Sequence, residues 1–413
     1  MRILYVSDVY FPRVNGVSTS IQTFRQELAA LGHEITLIAP EYPAGAGTED
    51  GVLRIPSRYL PFDPEDRFMR RGDINRRLPD LRAQGFDIVH VQTPFVAHYA
   101  GTAIARALEV PCVETYHTFF EEYLFHYVPF VPKAWMRRAA RRFSRAQCNA
   151  VDGVVVPSTA MRDVLTGYGV TSRMDIIPTG LRLAEFADGD GARFRAQHGV
   201  PADRPVLVHI GRVAFEKNIG FVLDSVAAVK LRVPDVLLVI AGEGPAVPSL
   251  KRRAGELGLA QNVLFVGYLA RGAALNDCYR SGDAFVFASR TETQGLVLLE
   301  AMALGVPVVS TAMMGTKDIL APARGARVVP EDVGAFADAC CEVLQDRPLR
   351  ERLGREGTAC ARDWAAPQMA QRMAEFYGSV IAQRALRPVG GRASEETAPW
   401  PDPSPSARPP PSR

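Results

Sequence analysis

The sequence has no run of about 18 apolar residues, the length that a membrane-spanning helix requires. Its amino end, MRILYVSDVYF, contains one arginine and a short apolar run that Ser7 and Asp8 interrupt, which is too short for a signal peptide. We therefore expect a cytoplasmic protein. Any membrane contact is expected to be peripheral, on the inner face of the cytoplasmic membrane.

The chain also lacks a strong net charge, because 48 basic side chains against 45 acidic ones leave only +3. Such a balance gives no global field that would attract nucleic acid, and no nucleic-acid partner is expected. An anionic partner would have to be bound by a local cluster of cations.

Cysteines with the paired spacing of metal sites are absent as well. The six cysteines are therefore interpreted as reduced, mostly buried thiols rather than zinc ligands. They are Cys112, Cys148, Cys278, Cys340, Cys341 and Cys360.

What the chain does have is enough apolar sequence for a large core. It has 413 residues, 47% of them hydrophobic, which indicates two or three globular domains. Strand-like and helix-like segments alternate from RILYVSDVYFP onward, and a second such series opens at PVLVHIG. This alternation predicts an α/β protein built from Rossmann-like units with parallel sheets.

Two positions in the first series lie where such folds bind ligands, at the carboxyl ends of strands. Asn15 and Gly16 occupy the loop RVNGVSTS after the first strand, and His117 closes the strand in VPCVETYHT. An imidazole there can donate to a sugar hydroxyl or a phosphate oxygen. The alternatives are an ordinary turn glycine and a structural histidine.

The segment that organises the chain is SRTETQGLVLLEAMALGVPVV, residues 289–309. It predicts a loop carrying Glu292, a turn at Gly295, a helix from Leu296 and then a strand. The helix start is a natural anion site, and Glu300 lies one turn inside the helix with its side chain leaning toward that start. Two carboxylates beside an anion pocket suit a phosphate flanked by polyols. The alternative is a solvated loop residue and a helix-surface charge.

Two cations follow the first strand of the second series. Arg212 and Lys217 stand in GRVAFEKN, directly after PVLVHIG, and could hold a diphosphate, with the arginine as a fork and the lysine as a point charge. A cationic surface loop is the alternative. The pair Gly242 and Gly244 lacks the third glycine of a dinucleotide fingerprint, which argues against a nicotinamide enzyme.

The most uneven charge lies in KAWMRRAARRFSR, which contains no acidic residue. On a helix, Met136, Ala140 and Phe143 form one stripe and the cations cover much of the remainder, so the segment could lie on an anionic membrane surface. A solvated helix is the alternative, and nucleic-acid binding is disfavoured because aromatic residues are sparse. The predicted membrane-docking residues are Lys133, Arg137, Arg138, Arg141, Arg142 and Arg145.

Domain limits follow from composition. The Gly- and Asp-rich run over residues 183–203 is interpreted as a linker. We expect a first domain over residues 1–182, completed by a carboxyl-terminal helix over 365–386, and a second domain over 183–364. Residues 387–413, rich in Pro, Ser and Arg, are predicted to be a disordered tail.

Assembled in this order, the motifs resemble those of glycosyltransferase family four. The resemblance covers nearly everything up to about residue 385 and rests on ETQGLVLLE, GRVAFEKN, AGEGP, NVLFVGYL and NGVSTS. Within the family, DVYFPRVNGVSTSI, HVQTPFVAHYAG and TYHTFFEEYL look most similar to the branch of diacylglycerol glucosyltransferases and GDP-mannose-dependent mannosyltransferases. One departure is Asn15, which replaces the first of two glycines common in the family. Because Asn tolerates positive φ, we expect the turn to be kept.

The resemblance implies a GT-B architecture, in which two Rossmann-like domains face each other and a carboxyl-terminal helix packs back on the first. It implies a retaining transferase that moves glucose or mannose from a donor of the UDP-glucose or GDP-mannose type, without a bound cofactor or metal. A lipid acceptor such as diacylglycerol is the first expectation. A soluble saccharide or polyol acceptor and a non-catalytic nucleotide-sugar-binding protein are the alternatives.

Roles for individual residues are also implied by the resemblance. Arg212 and Lys217 would neutralise the leaving diphosphate, Glu300 would hold the ribose, and Glu292 would contact the transferred sugar, with His117 near donor sugar and acceptor. The remaining donor-binding positions would act through backbone groups or at the base. They are Asn15 and Gly16, Gly295, Leu296 and Val297 at the diphosphate, and Gly267 and Tyr268 at the base.

Overall fold

Two parallel β-sheets, each covered by helices on both faces, make up the fold. The structure, a computed structural model, describes residues 1–43, 49–60, 63–117, 119 and 133–386. The predicted tail over 387–413 and most of the motif TYHTFFEEYL lie outside the described residues. The remainder confirms the predicted α/β class.

The strands in chain order are β1 (Arg2–Val6), β2 (Glu34–Pro40), β3 (Val52–Ile55), β4 (Ser57–Leu60), β5 (Asp63–Met69), β6 (Ile88–Val91), β7 (Cys112–Thr115), β8 (Gly153–Val156), β9 (Met174–Ile176), β10 (Val206–Ile210), β11 (Leu237–Ala241), β12 (Val263–Gly267), β13 (Ala284–Phe287), β14 (Val308–Ser310) and β15 (Ala326–Val328).

The helices in chain order are α1 (Gly16–Ala30), α2 (Arg71–Arg76), α3 (Leu78–Gln84), α4 (Val96–Leu108), α5 (Lys133–Cys148), α6 (Thr159–Gly167), α7 (Gly191–Gln197), α8 (Ile219–Lys230), α9 (Val247–Glu256), α10 (Ala273–Arg280), α11 (Leu296–Ala303), α12 (Thr316–Leu320), α13 (Val333–Gln345), α14 (Arg347–Arg362) and α15 (Ala366–Ala385). Short 3-10 helices span Leu183–Phe186 and Phe215–Lys217.

Strand order locates the possible ligand sites. The first sheet has the order β3-β2-β1-β6-β7-β8-β9 and the second β12-β11-β10-β13-β14-β15, while β4 and β5 form a separate antiparallel hairpin. In each large sheet the order reverses beside its first strand, between β1 and β6 and between β10 and β13. Ligands of parallel sheets bind at the carboxyl ends of the strands at such switch points.

The central strands are almost entirely buried because helices cover both sheet faces. In β10, residues 206–210 are all buried, and alternate side chains enter opposite cores. Leu207 packs with the face that α8 and α13 cover, and Val208 packs with the opposite one. The same holds for β1, where Leu4 and Tyr5 belong to different cores. All six cysteines are buried and free of disulfides, as predicted.

The run over residues 183–203 is not the linker that its composition predicted. It forms the 3-10 helix Leu183–Phe186 and α7, and both Phe186 and Phe194 are buried in the core of the second sheet. Asp190 caps α7 by accepting a hydrogen bond from the backbone N–H of Arg193. Its glycines and aspartates are therefore turn and capping residues, which have the same composition as a linker.

The carboxyl-terminal helix α15 returns to the first sheet, as the predicted architecture requires. Its apolar face, with Met373 and Phe376, packs on β1 and α1. A buried polar chain crosses this contact: the Tyr377 hydroxyl lies 2.9 Å from the Tyr5 hydroxyl and 2.6 Å from His90 Nδ1. Burial lowers the pKa of His90 well below its usual value, so this histidine is neutral and structural at pH 7.

Tyr377→Phe should destabilise the docking of α15, because it leaves the Tyr5 hydroxyl and His90 Nδ1 buried without their shared partner. We expect the free energy of unfolding to fall by about 1–3 kcal/mol, measured by urea denaturation. Tyr99→Phe, at a side chain that is 44% exposed, is the matched control and should change stability little. A midpoint equal to that of the control would contradict this role of the network.

Candidate active site

The loops after β10 and β13 meet at the switch point of the second sheet. The loop after β10 contains Lys217, and the loop after β13 contains Glu292. Lys217 Nζ lies 2.6 Å from Glu292 Oε2, and both side chains are about one fifth exposed (21% and 20%). This contact rules out the alternative that Glu292 is merely a solvated loop residue. Arg212 is on the same loop as Lys217, with Nη1 at 4.0 Å from Glu216 Oε1.

Glu300 is a buried carboxylate, not a helix-surface charge. It is 3% exposed; its Oε2 accepts a hydrogen bond of 2.7 Å from the Tyr279 hydroxyl, and its Oε1 accepts one of 2.9 Å from Arg271 Nη2. Burial and the adjacent carboxylate raise the pKa of Tyr279 well above its usual value, so the phenol remains a donor. Each carboxylate oxygen can accept more than one hydrogen bond, which leaves acceptor capacity for a ligand hydroxyl.

Arg271 and Tyr279 were missed by sequence reasoning. Both residues follow the motif NVLFVGYL, and Arg271 is three positions after Tyr268. Their positions in the sequence do not show which acidic side chain they bind. Burial alone would lower the pKa of Arg271, yet the Glu300 carboxylate beside it raises it. The guanidinium therefore stays charged next to Glu300.

Between the two glutamates, Gly295 is the N-cap residue of α11 and has a left-handed conformation with φ of 101°. A Cβ at this position would lie 2.9 Å from Thr316 Cγ2, so only glycine fits. The next residues, Leu296 and Val297, are the first of the helix, and the N-cap position, Gly295, has no side chain that could cap their N–H groups. Helix starts of this kind attract anions through the N–H groups and the macrodipole.

A buried histidine lies close to Lys217 and Glu292. His209 in β10 is fully buried, and its Nδ1 donates to the backbone oxygen of Val286 at 3.0 Å. Burial lowers its pKa to about 4, so it adds no charge near Lys217 and Glu292 at neutral pH. It was not among the predicted site residues, since a histidine within an apolar strand pattern resembles a core position.

The predicted base-binding residues follow β12, at the neighbouring strand end. Gly267 has φ of 73° and accepts a hydrogen bond from the N–H of Gly242 at 2.7 Å, while Tyr268 is 56% exposed. A Cβ on Gly242 would lie 1.9 Å from the backbone oxygen of Gly211. The glycines of AGEGP therefore serve the close approach of loops at the strand ends.

On the facing domain, Asn15 does not adopt the positive φ that was expected. Its φ is −153°, and its side chain caps α1 by accepting from the N–H of Ser18 at 2.8 Å. The asparagine thus replaces a glycine as a helix cap and not as a left-handed turn residue. Gly16 is the first residue of α1, and a Cβ there would meet no atom within 4 Å.

His117 lies two residues beyond β7, at the same edge of the first sheet. Its Nε2 donates to Gln92 Oε1 at 3.1 Å, and burial lowers its pKa to about 4, so the ring is neutral at pH 7. Thr293, next to Glu292, donates through Oγ1 to the backbone oxygen of His117 at 3.1 Å. The structure therefore places His117 of the first domain close to the loop of the second domain that contains Glu292.

Two further histidines of this domain, His90 and His98, have structural partners. His90 Nε2 lies 2.7 Å from the hydroxyl of Thr115. His98 Nδ1 lies 2.9 Å from Glu114 Oε2, and both side chains are almost fully buried. Neither is at the loop contact described above.

The basic segment forms α5, whose apolar stripe faces the protein. Ala140 is buried, and Met136 and Phe143 are partly buried, while Trp135 is 76% exposed. The five arginines on the helix are all exposed, and the side chain of Lys133 lies outside the described residues. Arg137, Arg138, Arg141, Arg142 and Arg145 form this set. Over the part of the chain that is described, no helix is both long and apolar enough to cross a bilayer.

Comparison of the sequence with known proteins shows which family the chain belongs to. The family described as "Glycosyltransferase Family 4" matches residues 14–185, and the family described as "Glycosyl transferases group 1" matches residues 190–359. The alpha-monoglucosyldiacylglycerol synthase of Streptococcus pneumoniae is 36% identical over 75% of this chain and 71% of its own length. The GDP-mannose-dependent alpha-mannosyltransferase of Mycolicibacterium smegmatis is 29% identical over 94% of this chain and 100% of its own.

Solved structures show the same fold. HepE of Anabaena in complex with UDP has a TM-score of 0.72 at 16% identity and covers 92% of this chain and 100% of its own. The lipopolysaccharide-biosynthesis glycosyltransferase WaaG has a TM-score of 0.67 at 16% identity, covering 91% of this chain and 99% of its own. The chain therefore belongs to glycosyltransferase family four and is a hexosyltransferase with the GT-B fold.

Proposed function

We propose that this enzyme transfers glucose or mannose from a UDP- or GDP-sugar to a lipid acceptor such as diacylglycerol at a membrane surface. The observation that carries the proposal is the contact of Lys217 with Glu292 in the loop before α11, the helix that contains the buried Glu300. Thr293 joins this loop to His117. Lys217 and the start of α11 would bind phosphate, Glu292 would contact the sugar, and Glu300 would bind the ribose.

The donor would lie along the carboxyl edge of the second sheet. Arg212, Lys217 and the N–H groups of Leu296 and Val297 would bind the diphosphate, with Gly16 approaching from the first domain. Glu300 would accept the ribose hydroxyls while Arg271 and Tyr279 hold its carboxylate in place, and Gly267 and Tyr268 would meet the base. The relatives support a nucleotide-sugar donor, since the Mycolicibacterium smegmatis protein is named for GDP-mannose.

The proposed mechanism follows from the charges that develop on the sugar and the diphosphate during transfer. Cleavage of the bond between the anomeric carbon and the phosphate oxygen creates an oxocarbenium-like sugar and a diphosphate of growing negative charge. Lys217 and Arg212 would stabilise the diphosphate, and Glu292 would stabilise the sugar through its hydroxyls. Pairing of Lys217 with Glu292 would hold both side chains close to where each would act.

We favour attack from the face that the diphosphate leaves, with retention of configuration. The acceptor oxygen forms the new bond to the anomeric carbon, and its proton passes to the departing phosphate oxygen. His117, neutral at pH 7, would contact the donor sugar and acceptor hydroxyls without adding a cation. In this scheme Arg212 and Lys217 perform the charge neutralisation that a metal ion supplies in other transferases.

The acceptor side rests on α5 and on the named relatives. Five exposed arginines and an exposed Trp135 on one helix combine cations for anionic headgroups with an indole suited to the membrane interface. The Streptococcus pneumoniae relative is named for a diacylglycerol product. Together they favour a lipid over a soluble saccharide.

A donor and acceptor screen tests the proposal directly. Purified protein is incubated with UDP- and GDP-sugars, with diacylglycerol in anionic vesicles or with soluble saccharides and polyols. Transfer to the lipid from one of these donors is expected. Transfer only to soluble acceptors would overturn the lipid assignment, and turnover of no UDP- or GDP-sugar would overturn the donor assignment.

Glu292→Gln keeps the size of the side chain but removes its charge. Turnover should fall by about 10²–10³-fold if Glu292 stabilises the sugar in the transition state. Nucleotide affinity should change by less than about fivefold, because a partly exposed ion pair contributes up to about 1 kcal/mol. Steady-state rates and nucleotide titration measure the two effects.

Two further variants accompany that measurement. Glu300→Gln should show the opposite division, with nucleotide affinity lost at least as strongly as turnover. Glu342→Gln is the control. It removes a carboxylate on α13 that pairs with Arg327 of β15, and it should leave turnover and nucleotide affinity unchanged. Equal loss of turnover and affinity in Glu292→Gln would refute the role given to Glu292.

Membrane binding should depend on the arginines of α5. Changing Arg137, Arg138, Arg141 and Arg142 together to Gln should weaken co-sedimentation with anionic vesicles by a factor on the order of 10²–10³, since each cation near the surface contributes about 1 kcal/mol.

The matched control removes four exposed arginines from α14, so the loss of net charge is the same. These are Arg347, Arg352, Arg355 and Arg362. The control should sediment like the wild type. Absence of wild-type sedimentation, or equal loss in both variants, would argue against docking through α5.

A further inference from the structure

We propose that Thr293 and Gln294, which lie between the two glutamates of the donor site, are positioning residues that tie the donor loop to the facing domain. The inference rests on the donor and acceptor sides proposed above. In this proposal Thr293 and Gln294 set the distance between Glu292 and His117 of the first domain, which neither glutamate does.

Gln294 makes the most complete of these contacts. Its Oε1 accepts from the N–H of Thr179 at 2.8 Å, and its Nε2 donates to the backbone oxygen of Thr179 at 2.7 Å. Gln294 and Thr179 are each only 6% exposed. One amide thus satisfies both backbone groups of a residue on the chain that connects the first sheet to the second, and water cannot easily replace it there.

The connection continues into the helix that begins at the predicted diphosphate loop. The hydroxyls of Thr179 and Ser20 lie 2.7 Å apart, and Ser20 is buried within α1. The helix α1 starts at Gly16, one of the predicted donor contacts. Gln294 therefore links the donor loop through Thr179 to the element that would approach the diphosphate from the other side.

Thr293 makes the second link, to the backbone oxygen of His117 at 3.1 Å. Because it adjoins Glu292 in sequence, any shift of this contact moves the carboxylate relative to the imidazole. The loop is also supported from behind, since the N–H of Gly315 donates to the backbone oxygen of Glu292 at 2.9 Å. A Cβ on Gly315 would lie 1.9 Å from the backbone oxygen of Thr293, so the support is close.

Two adjacent residues thus hold three parts of the site in register: the Glu292 loop, the main chain at His117, and α1. A misplacement of about 1 Å between reacting groups can cost on the order of 10²-fold in rate. Side chains that fix interdomain distance therefore act on turnover more than on nucleotide binding, because the nucleotide contacts lie mainly within the second domain.

The test uses the full chain with two variants that keep side-chain shape. Thr293→Val removes only the hydroxyl, and Gln294→Glu removes the donor that faces the Thr179 oxygen. We expect donor turnover to fall about 3–10-fold in Thr293→Val and about 10–100-fold in Gln294→Glu. UDP or GDP affinity should stay within about threefold, and small-angle scattering should show a more open molecule. Thr293→Ser keeps the hydroxyl and should restore turnover.

Matched controls make comparable changes inside the second domain. Thr358→Val removes a hydroxyl that donates to the backbone oxygen of Met302, and Asn262→Asp alters a buried amide that donates to the backbone oxygens of Pro234 and Val236. Both should lower thermal stability without opening the molecule. This separates interdomain positioning from general loss of stability.

Turnover like that of the controls, or an unchanged scattering profile in both variants, would overturn the inference. Turnover is measured as donor hydrolysis as well as transfer. A failure to find a lipid acceptor would therefore contradict the proposed function while still allowing the positioning role to be decided.

Discussion

The proposed donor site depends on the ion pair between Lys217 and Glu292. Each residue belongs to a loop that follows one of the two strands flanking the switch point of the second sheet, so sheet topology alone brings the loops together. The 2.6 Å contact between these partly exposed groups holds a cation and a carboxylate side by side at the carboxyl edge of the sheet. Phosphate and sugar can then each be met by the partner of suitable charge.

Glu300 illustrates a different use of a carboxylate. Burial of an unpaired carboxylate would be costly, and Arg271 and Tyr279 offset that cost with one hydrogen bond to each oxygen. The acceptor that we propose for the ribose hydroxyls is therefore preorganised. The two glutamates thus differ in their surroundings: Glu292 forms a partly exposed ion pair, and Glu300 is a buried acceptor held by two donors. The loop between them contacts the facing domain through Thr293 and Gln294.

Several features could be predicted from residues alone, and others could not. Alternating strand and helix patterns, the turn at Gly295 and the cations after β10 are local signals, and the structure confirms the elements they predicted. Residues 183–203 were misjudged, because turn and capping residues have the composition of a linker while Phe186 and Phe194 anchor the segment in a core. Asn15 was placed correctly, but it caps α1 and has no positive φ.

The sequence by itself determined the α/β class, the two glutamates, the paired cations and the arginine-covered face of α5, because each depends on neighbours within a few positions along the chain. Only the tertiary structure decided that Arg271 and Tyr279 hold Glu300, that Tyr377 joins α15 to His90, and that Gln294 binds Thr179. These partners lie between 21 and 287 positions apart in the chain. No local pattern selects one partner over another at such separations, since the choice is made by which strand ends and helices the packed cores bring into contact.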